Sequence, residues 1–485
     1  MDNTYLWIVV LGFIIAFILA LGLGANDVAN SFGTSVGSKV LTLRNACIVA
    51  TICETAGAVL AGGKVTDTIR SEIVDIDHSG NDTECNALIG SLSALCGGAL
   101  WLITATIFKL PVSSTHSIVG AMMGFGIVAY GAEAIKWKEF AKIVSSWVIS
   151  PLMSGLISSC FYVILQYFVL KKNDSYHAAL KALPVIYFIV ISINVFAIFY
   201  DGSHVLHFNK IPLYGCFILS FGIGTIVALL IAFLFVPYMK QKIDGEFEMA
   251  ESNSKSLNEG NLASEEVGVK EKTRLLKDPG KDNSTSMLYS EGPSIQEAAL
   301  TSEHSSSQTG RNIIADEPKT SRLLAYVQIL TASSASFAHG SNDVSNAIGP
   351  LVTLWLTYRH GNANTEYSTP LWILFYGGAG ISIGLLIWGR RVIETVGENL
   401  STITPSSGLI IEFGTVCTVL FASNLGIPIS TTHCLVGAII MVGLVRSRHA
   451  TDWRVFINIV VAWLVTVPAS GLFSAGIYAL LSHIV

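Results

Sequence analysis

The sequence predicts an all-α polytopic membrane protein with about twelve transmembrane segments, built as two inverted-topology repeats with interrupted or re-entrant helices at the centre. Three observations support this fold class. Of the 485 residues, 51% are hydrophobic and only 13% are charged, so long uncharged stretches dominate the chain. Many of these stretches are long enough to cross about 30 Å of hydrocarbon. Several sequence blocks of the first half also occur again in the second half.

The apolar runs divide the chain into twelve predicted spans. The first run follows a short segment without a basic residue, which favours a retained span over a cleaved signal peptide. Basic short loops, such as Lys171–Lys172 and Arg390–Arg391, fall on the inner side when the amino terminus is placed outside. The spans are predicted near residues 5–24, 46–63, 87–108, 114–130, 143–170, 184–200, 212–238, 323–338, 370–389, 408–424, 431–445 and 455–482.

Composition divides the chain into three regions. The N-terminal membrane half, 1–236, contains repeat 1 at about 5–170 and two extra spans, and the C-terminal membrane half, 322–485, contains repeat 2. Between them, residues 237–321 are rich in Ser, Glu, Lys and Asn, which predicts a disordered cytoplasmic loop. Asn81 begins an Asn-x-Thr sequon in a predicted outer loop, so we expect it to be glycosylated.

Internal duplication is the strongest pattern in the sequence. Gly24–Gly33 and Gly340–Gly349 share the pattern Gly-x-Asn-Asp-Val-x-Asn-x-x-Gly, and Leu110–Ala121 recurs as Ile427–Ala438. An odd number of predicted crossings separates the two copies, so they run through the membrane in opposite directions. This is the plan of secondary transporters, which place a central site at the interface between their repeats.

Each Asn-Asp motif places a carboxylate in or near hydrocarbon, at a cost of about 2.5–3.5 kcal/mol that predicts a compensating partner. The flanking glycines predict an interrupted helix at both copies. A single buried Asp is usually a satisfied structural acid, but two symmetric copies rich in oxygen atoms suit a hard cation. The candidate cation ligands are Asp27, Asn30, Asp343 and Asn346. Two further intramembrane acids, Glu54 and Glu412, have no duplicated counterpart and are also candidate cation ligands.

Each half also carries a triplet of hydroxyl side chains after a proline, Pro111 or Pro428, which suits the first turn of a helix. Hydroxyls and unpaired N–H groups at a helix start form a cradle for an anion, whereas ordinary helix capping would use the same residues. Duplication beside buried acids favours the anion site. The candidate anion ligands are Ser113, Ser114, Thr115, Ser430, Thr431 and Thr432, with Asn26 and Asn342 beside them.

Three histidines adjoin these motifs and could carry a proton or act in gating, namely His116, His339 and His433. A histidine that bonds the backbone at a hairpin is an equally good interpretation. The sequence contains no CxxC motif, no clustered histidine ligand set and no nucleophile arrangement. We therefore expect a protein that is not an enzyme, has no cofactor and has no nucleic-acid partner.

The paired Gly-Ala-Asn-Asp-Val-Ala-Asn and Gly-Ser-Asn-Asp-Val-Ser-Asn motifs, with Pro-Val-Ser-Ser-Thr-His and Pro-Ile-Ser-Thr-Thr-His, resemble those of the inorganic phosphate transporter (PiT) family. The resemblance covers both membrane halves and is stronger to the animal sodium-dependent branch. It implies sodium-coupled phosphate symport at the cell membrane, with sodium as a co-transported ion. It also implies functional roles for Glu54 and Glu412. The implied partners are phosphate, sodium and the lipid bilayer, and a homo-oligomer is compatible with the sequence.

Two alternatives stand beside this interpretation. A proton-coupled carrier of phosphate or of another oxyanion would load its protons on the histidines or on Glu54. A receptor or scaffold that does not transport would keep the fold and act through its outer loops. In every case the predicted topology places both termini outside and the central loop in the cytoplasm.

Overall fold

The computed structural model describes residues 3–75, 83–108, 110–200, 207–253, 316–361, 367–388, 403–446 and 453–484, without the side chains of residues 3, 28–31, 83 and 209. Asn81 lies outside these ranges, so its glycosylation stays a prediction. The described residues form helices joined by short connections and contain no β-strand.

Thirteen α-helices of the described ranges are numbered here, and residues 236–253 are also helical. The N-terminal half contains α1 Leu6–Gly37, α2 Leu43–Ala61, α3 Gly63–Ser71, α4 Thr83–Ile107, α5 Ser114–Tyr130, α6 Trp137–Leu165, α7 Ser175–Phe199 and α8 Leu213–Leu230. The C-terminal half contains α9 Pro318–His360, α10 Leu371–Trp388, α11 Pro405–Asn424, α12 Thr431–Arg446 and α13 Trp453–Leu481.

Local sequence signals fix several helix starts. Thr404 caps α11 by a reciprocal capping box with Ser407, directly before Pro405 in the first turn. Outside the membrane-spanning segments, the Asp174 side chain caps α7 by accepting from the backbone N–H of His177 at 2.9 Å. This hydrogen bond is the main reason why the pKa of Asp174 lies below its usual value.

All twelve predicted spans fall on helices, but the helices differ in their ability to cross a membrane. Within the described ranges, nine helices are long and apolar enough to cross by themselves. The others that carry predicted spans are α5 and α12, which are shorter, and α9, which is long but more polar. The count of twelve crossings therefore stays a prediction.

The prediction that the Asn-Asp motifs interrupt their helices is wrong. Helix α1 runs without a break through Gly24–Gly33, and α9 runs through Gly340–Gly349. The glycines serve close packing, because a Cβ atom on Gly24 would collide with the carbonyl oxygen of Ile381, and one on Gly340 would collide with that of Glu54. The breaks lie instead in the α4–α5 and α11–α12 connections, which join these helices into two hairpins. Whether the hairpins are re-entrant stays a prediction.

The two halves make the same contacts with their helices exchanged. Helix α1 packs on α10 of the other half, just as α9 packs on α2. The α5–α13 contact has a counterpart in the α12–α6 contact, where Gly120 meets the carbonyl of Val467 and Gly437 meets that of Pro151. Each half therefore completes its packing with helices of the other. The direction of each half across the membrane stays a prediction.

The chain divides into two compact units, one of Met1–Pro237 with Ala315–Val485 and one of Tyr238–Ile314. In the second unit the structure describes residues 238–253, which are helical. The predicted start of the disordered loop, residue 237, is therefore too early, because helix-forming residues keep the chain helical beyond it. It also ends too late, because α9 already begins at Pro318. Residues 254–315 lie outside the described ranges.

Candidate cation and anion site

The tips of the two hairpins meet in the interior of the protein. Thr115 Oγ1 donates to the carbonyl of Ile429 at 2.9 Å, and Thr432 Oγ1 donates to the carbonyl of Val112 at 3.4 Å. These equivalent bonds bring the starts of α5 and α12 together, one from each half. Two helix N-termini, with their positive dipole ends, therefore converge on one region.

Ser113 and Ser430 act as N-caps at these helix starts. Ser113 Oγ accepts the backbone N–H of His116 at 3.3 Å, and Ser430 Oγ accepts that of His433 at 3.2 Å. Both are buried. Of the six predicted hydroxyl ligands, these two thus fit the capping interpretation that the sequence left open.

Asn26 and Asn342 brace the hairpin tips. Asn26 Nδ2 donates to Leu110 O at 3.0 Å and to Thr106 Oγ1 at 3.2 Å, while its Oδ1 accepts from Val112 N. Asn342 Nδ2 donates at 2.8 Å to both Ile429 O and Asp343 Oδ1. Because both N–H groups of each amide are already donated, neither asparagine can donate to phosphate in this conformation. Their predicted role as phosphate ligands stays a prediction.

The Asp343 carboxylate is completely buried and has several partners. Thr431 Oγ1 donates to Oδ2 at 2.7 Å, and His339 Nε2 lies 2.7 Å from the same oxygen. Oδ1 accepts from Asn342 and, at 3.2 Å, from Asn346. The pairing of Asp343 with a hydroxyl of the hydroxyl triplet was not foreseen, although both groups were separately predicted as ligands.

Asp27 occupies the equivalent position in the first half. It is 1% exposed, and Thr432 Oγ1 donates to its Oδ1 at 3.4 Å. Ser114, which is equivalent to Thr431, lies close to this carboxylate. Ligand atoms of Asp27, His339 and Asp343 all lie within 4.8 Å of one another. The structure therefore brings together the two predicted acids, and we call these three residues the aspartate cluster.

Asn346 connects the aspartate cluster to the opposite hydroxyl triplet. Its Nδ2 lies 3.0 Å from Ser114 Oγ and 3.1 Å from Thr115 Oγ1, in addition to its bond to Asp343. The side chain of its counterpart, Asn30, lies outside the described part, so its predicted role is untested. The second half thus contributes an amide to the hydroxyl groups of the first.

His339 joins the aspartate cluster to Glu54. Its Nδ1 lies 2.7 Å from Glu54 Oε2, while its Nε2 faces Asp343, and Ser336 Oγ donates to Glu54 Oε1 at 3.2 Å. When the ring is protonated both nitrogens donate, so one imidazolium bridges two buried carboxylates. Burying two negatively charged carboxylates is costly unless a positive group, such as this imidazolium, pairs with them. Sequence reasoning named all three residues but not their connection.

Glu412 forms a second polar cluster with residues that the sequence analysis missed. Ser35 Oγ donates to Oε1 at 2.7 Å and Gln328 Nε2 does so at 3.2 Å, while Thr34 donates to Oε1 and Thr331 to Oε2. All four donors are neutral, and Glu412 is completely buried. Thr34 lies two helical turns after Asp27 on α1, and this spacing is a signal that could have revealed it.

His116 and His433 lie in an aromatic stack rather than in the aspartate cluster. The ring of His116 is 3.7 Å from that of Trp147, the equivalent pair His433 and Trp463 is at 3.6 Å, and the two histidine rings are 4.5 Å apart. His433 Nδ1 also contacts the Trp147 carbonyl at 3.1 Å. These contacts favour the structural interpretation over the proton or gating role predicted for the pair.

The fold and the site together define a polytopic helical membrane protein whose two halves build one buried charged site between them, as secondary transporters do. The sequence profile described as the Phosphate transporter family matches residues 23–474. Sodium-dependent phosphate transporter 1-A of Danio rerio is 37% identical, with 100% of this chain and 96% of the relative covered. Sodium-dependent phosphate transporter 2 of Bos taurus is 38% identical, with 99% of both chains covered.

A solved structure described as the sodium-dependent phosphate transporter superimposes with a TM-score of 0.78 at 32% identity, covering 99% of this chain and 100% of that one. The chain belongs to the phosphate transporter family. The family resemblance found in the paired motifs is thereby confirmed.

Proposed function

We propose that this chain is a secondary active transporter that carries inorganic phosphate into the cell by symport with sodium. Membership of the phosphate transporter family supports this function, as do the sodium-dependent relatives. The observation that carries the proposal is the convergence of Asp27 and Asp343, one from each half, beside the first turns of α5 and α12.

Sodium would be held by oxygen atoms of the aspartate cluster and of its neighbouring amides. Among the described residues, no hydrogen-bond donor reaches the buried Oδ1 atoms of Asn342 and Asn346. Buried carbonyl-type oxygens without a donor are the ligands that hard cations prefer. We therefore assign Asn342, together with Asp27, Asp343 and Asn346, to sodium rather than to phosphate.

Phosphate would lie at the converging helix starts, held by Ser114, Thr115, Thr431 and Thr432 and by first-turn N–H groups. In this conformation the Thr431 hydroxyl donates a hydrogen bond to Asp343, and the Thr432 hydroxyl donates one to Asp27. A cation bound to the carboxylates would take the place of these protons. The hydroxyls could then turn and donate to a phosphate oxygen.

This exchange supplies a physical reason for coupling. At an effective dielectric near 20, two like charges about 4 Å apart repel by about 4 kcal/mol, so phosphate and bare carboxylates do not share the site. Sodium removes the repulsion and releases the donors at the same time. By thermodynamic reciprocity, phosphate must then raise the affinity for sodium by the same factor.

Uptake by purified protein in liposomes tests the proposal. Labelled phosphate should accumulate when an inward sodium gradient is imposed, and it should not accumulate when choline replaces sodium at constant pH. Liposomes without protein and liposomes containing Asp343→Asn serve as controls. Equal uptake in choline and in sodium would reject sodium symport.

The Glu54–His339–Asp343 chain supports a second candidate, proton-coupled phosphate transport. Its two contacts of 2.7 Å place one titratable imidazole between two buried acids. An inward pH gradient in sodium-free medium distinguishes this candidate, because it would drive accumulation only if protons are the coupling ion. We expect no accumulation under that condition.

We also propose that the protein lies in the cell membrane with both termini outside and residues 254–315 in the cytoplasm. The basic short loops predicted to face inward support this orientation.

A further inference from the structure

An apolar crevice of about 340 Å³ lies between α6, α7 and α11. Its walls are almost entirely aliphatic and aromatic, including Phe161, Phe168, Ile189 and Phe413. It shares no lining residue with the aspartate cluster. Phosphate cannot be stabilised on such a surface, whereas a hydrocarbon chain can.

Basic residues lie close in sequence to residues that line one end of the crevice. Exposed Lys171 and Lys172 in the α6–α7 turn come two and three residues after the lining residue Val169, and exposed Lys181 directly precedes the lining residue Ala182. The crevice therefore runs from the α6–α7 turn into the bundle, along α6 and α7. Its basic end, defined by Lys171, Lys172 and Lys181, is where a negatively charged group would be attracted.

An aromatic residue marks this end as the level of the lipid headgroups. Tyr167 is 65% exposed, and Lys172 Nζ lies 5.4 Å from the centre of its ring. Tyrosine and lysine side chains prefer this level of a bilayer, where an apolar body meets a wet, polar surface. Phe168 and Val169 also belong to a π-helical segment, Gln166–Leu170, and such segments recur at functional sites.

Acidic groups near the basic end are already engaged. Asp174 pairs with His177 at 2.8 Å and also feels the charge of Lys181. Glu317 accepts hydrogen bonds from Ser175 and Thr320. Lys319, over the ring of Tyr176, adds a further positive charge at the start of α9, so the basic groups outnumber the acids.

We propose that this crevice binds an anionic glycerophospholipid. One acyl chain lies between α6 and α7, and the phosphodiester headgroup lies at Lys171, Lys172 and Lys181. The deep end of the crevice is lined by Thr331, whose hydroxyl donates to Glu412. A bound acyl chain therefore contacts Thr331, a residue that also belongs to the Glu412 cluster.

Photo-crosslinking tests the proposal on the full chain in phosphatidylcholine vesicles. The probes are phosphatidylserine and phosphatidylcholine, each carrying a diazirine in an acyl chain, and labelled peptides are located by mass spectrometry. We expect phosphatidylserine to label peptides of α6 and α7 at least about fivefold more than phosphatidylcholine does, because each lysine near the surface contributes roughly that factor. Millimolar inorganic phosphate should not reduce the labelling.

Matched variants distinguish the crevice from general lipid contact. Val185 lines the crevice and is 57% exposed, while Val148 faces outward on α6, is 63% exposed and does not line it. Val185→Trp should reduce phosphatidylserine labelling at least about threefold, whereas Val148→Trp should not. The preference for the anionic probe should fall in Lys172→Gln and fall further in the triple variant Lys171→Gln, Lys172→Gln, Lys181→Gln. The control Lys138→Gln should leave this preference unchanged.

Several results would overturn the proposal. These are equal labelling by the two probes, labelling located outside α6 and α7, and labelling that Val185→Trp leaves unchanged. Displacement by inorganic phosphate would also overturn it, because the basic end would then be a site for the free anion rather than for a lipid. If the triple variant does not fold, Lys172→Gln alone still decides the headgroup contact.

Discussion

The hydroxyl groups of Ser114 and Thr431 occupy equivalent places in the two halves: Thr431 donates to Asp343, and Ser114 lies close to Asp27. If they also donate to phosphate once sodium binds, Thr431→Val should weaken apparent phosphate affinity about tenfold or more. The reason is that a hydrogen bond to a charged group contributes about 1.5–3 kcal/mol. Thr431→Ser retains the hydroxyl and should remain close to the unmodified protein. The concentration dependence of uptake measures both, and equal kinetics in all three proteins would show that the Thr431 hydroxyl does not donate to phosphate.

His339 contacts two buried carboxylates, so its removal should be costly for folding as well as for transport. His339→Gln leaves Glu54 and Asp343 without their shared cation, and breaking a buried pair in this way costs about 3–5 kcal/mol. The double change His339→Gln with Glu54→Gln removes one of the stranded charges. We therefore expect the double variant to melt at a higher temperature than His339→Gln alone, and strictly additive losses would argue against the bridge.

At the scale of helices, small residues determine how closely the halves approach. Gly340→Ala would press a methyl group against the Glu54 carbonyl, and overpacking of this kind costs about 1–3 kcal/mol. Gly222→Ala on α8 is the matched control, because nothing lies within contact distance of the added atom. Thermal unfolding of the detergent-purified proteins should show a lower melting temperature for Gly340→Ala only. A similar loss in both variants would contradict this account of the packing.

The helices illustrate what a sequence can and cannot specify. The duplicated motifs were sufficient to predict that Asp27, Asp343 and the hydroxyl triplets are close together, because equivalent residues of two halves meet at their interface. The same motifs misled about helix continuity. In the sequence, a glycine beside Asn-Asp looks the same whether the helix breaks there or another backbone packs closely against it. The backbone that packs against Gly340 belongs to the other half. The Glu412 partners escaped prediction because Thr34 and Gln328 become neighbours only through packing.

At the scale of the whole molecule, each half completes its packing with helices of the other, and the inverted topology stays a prediction. Epitope tags at residue 1, within residues 254–315 and at residue 485 should be accessible outside, inside and outside the cell, respectively. Antibody labelling of intact and permeabilised cells measures this, with a tag on a known cytoplasmic protein as the control. A central segment that is labelled in intact cells would contradict the inverted arrangement.

Coupling between sodium and phosphate is the central claim for the molecule as a whole. Equilibrium binding of labelled phosphate to the purified protein tests it most directly, in sodium chloride and in choline chloride of equal ionic strength and pH. We expect binding at least about tenfold weaker in choline, because unscreened carboxylates repel the anion. Asp27→Asn and Asp343→Asn should each reduce this sodium dependence while the protein remains folded. Equal phosphate affinity in the two salts would contradict coupling through the two aspartates.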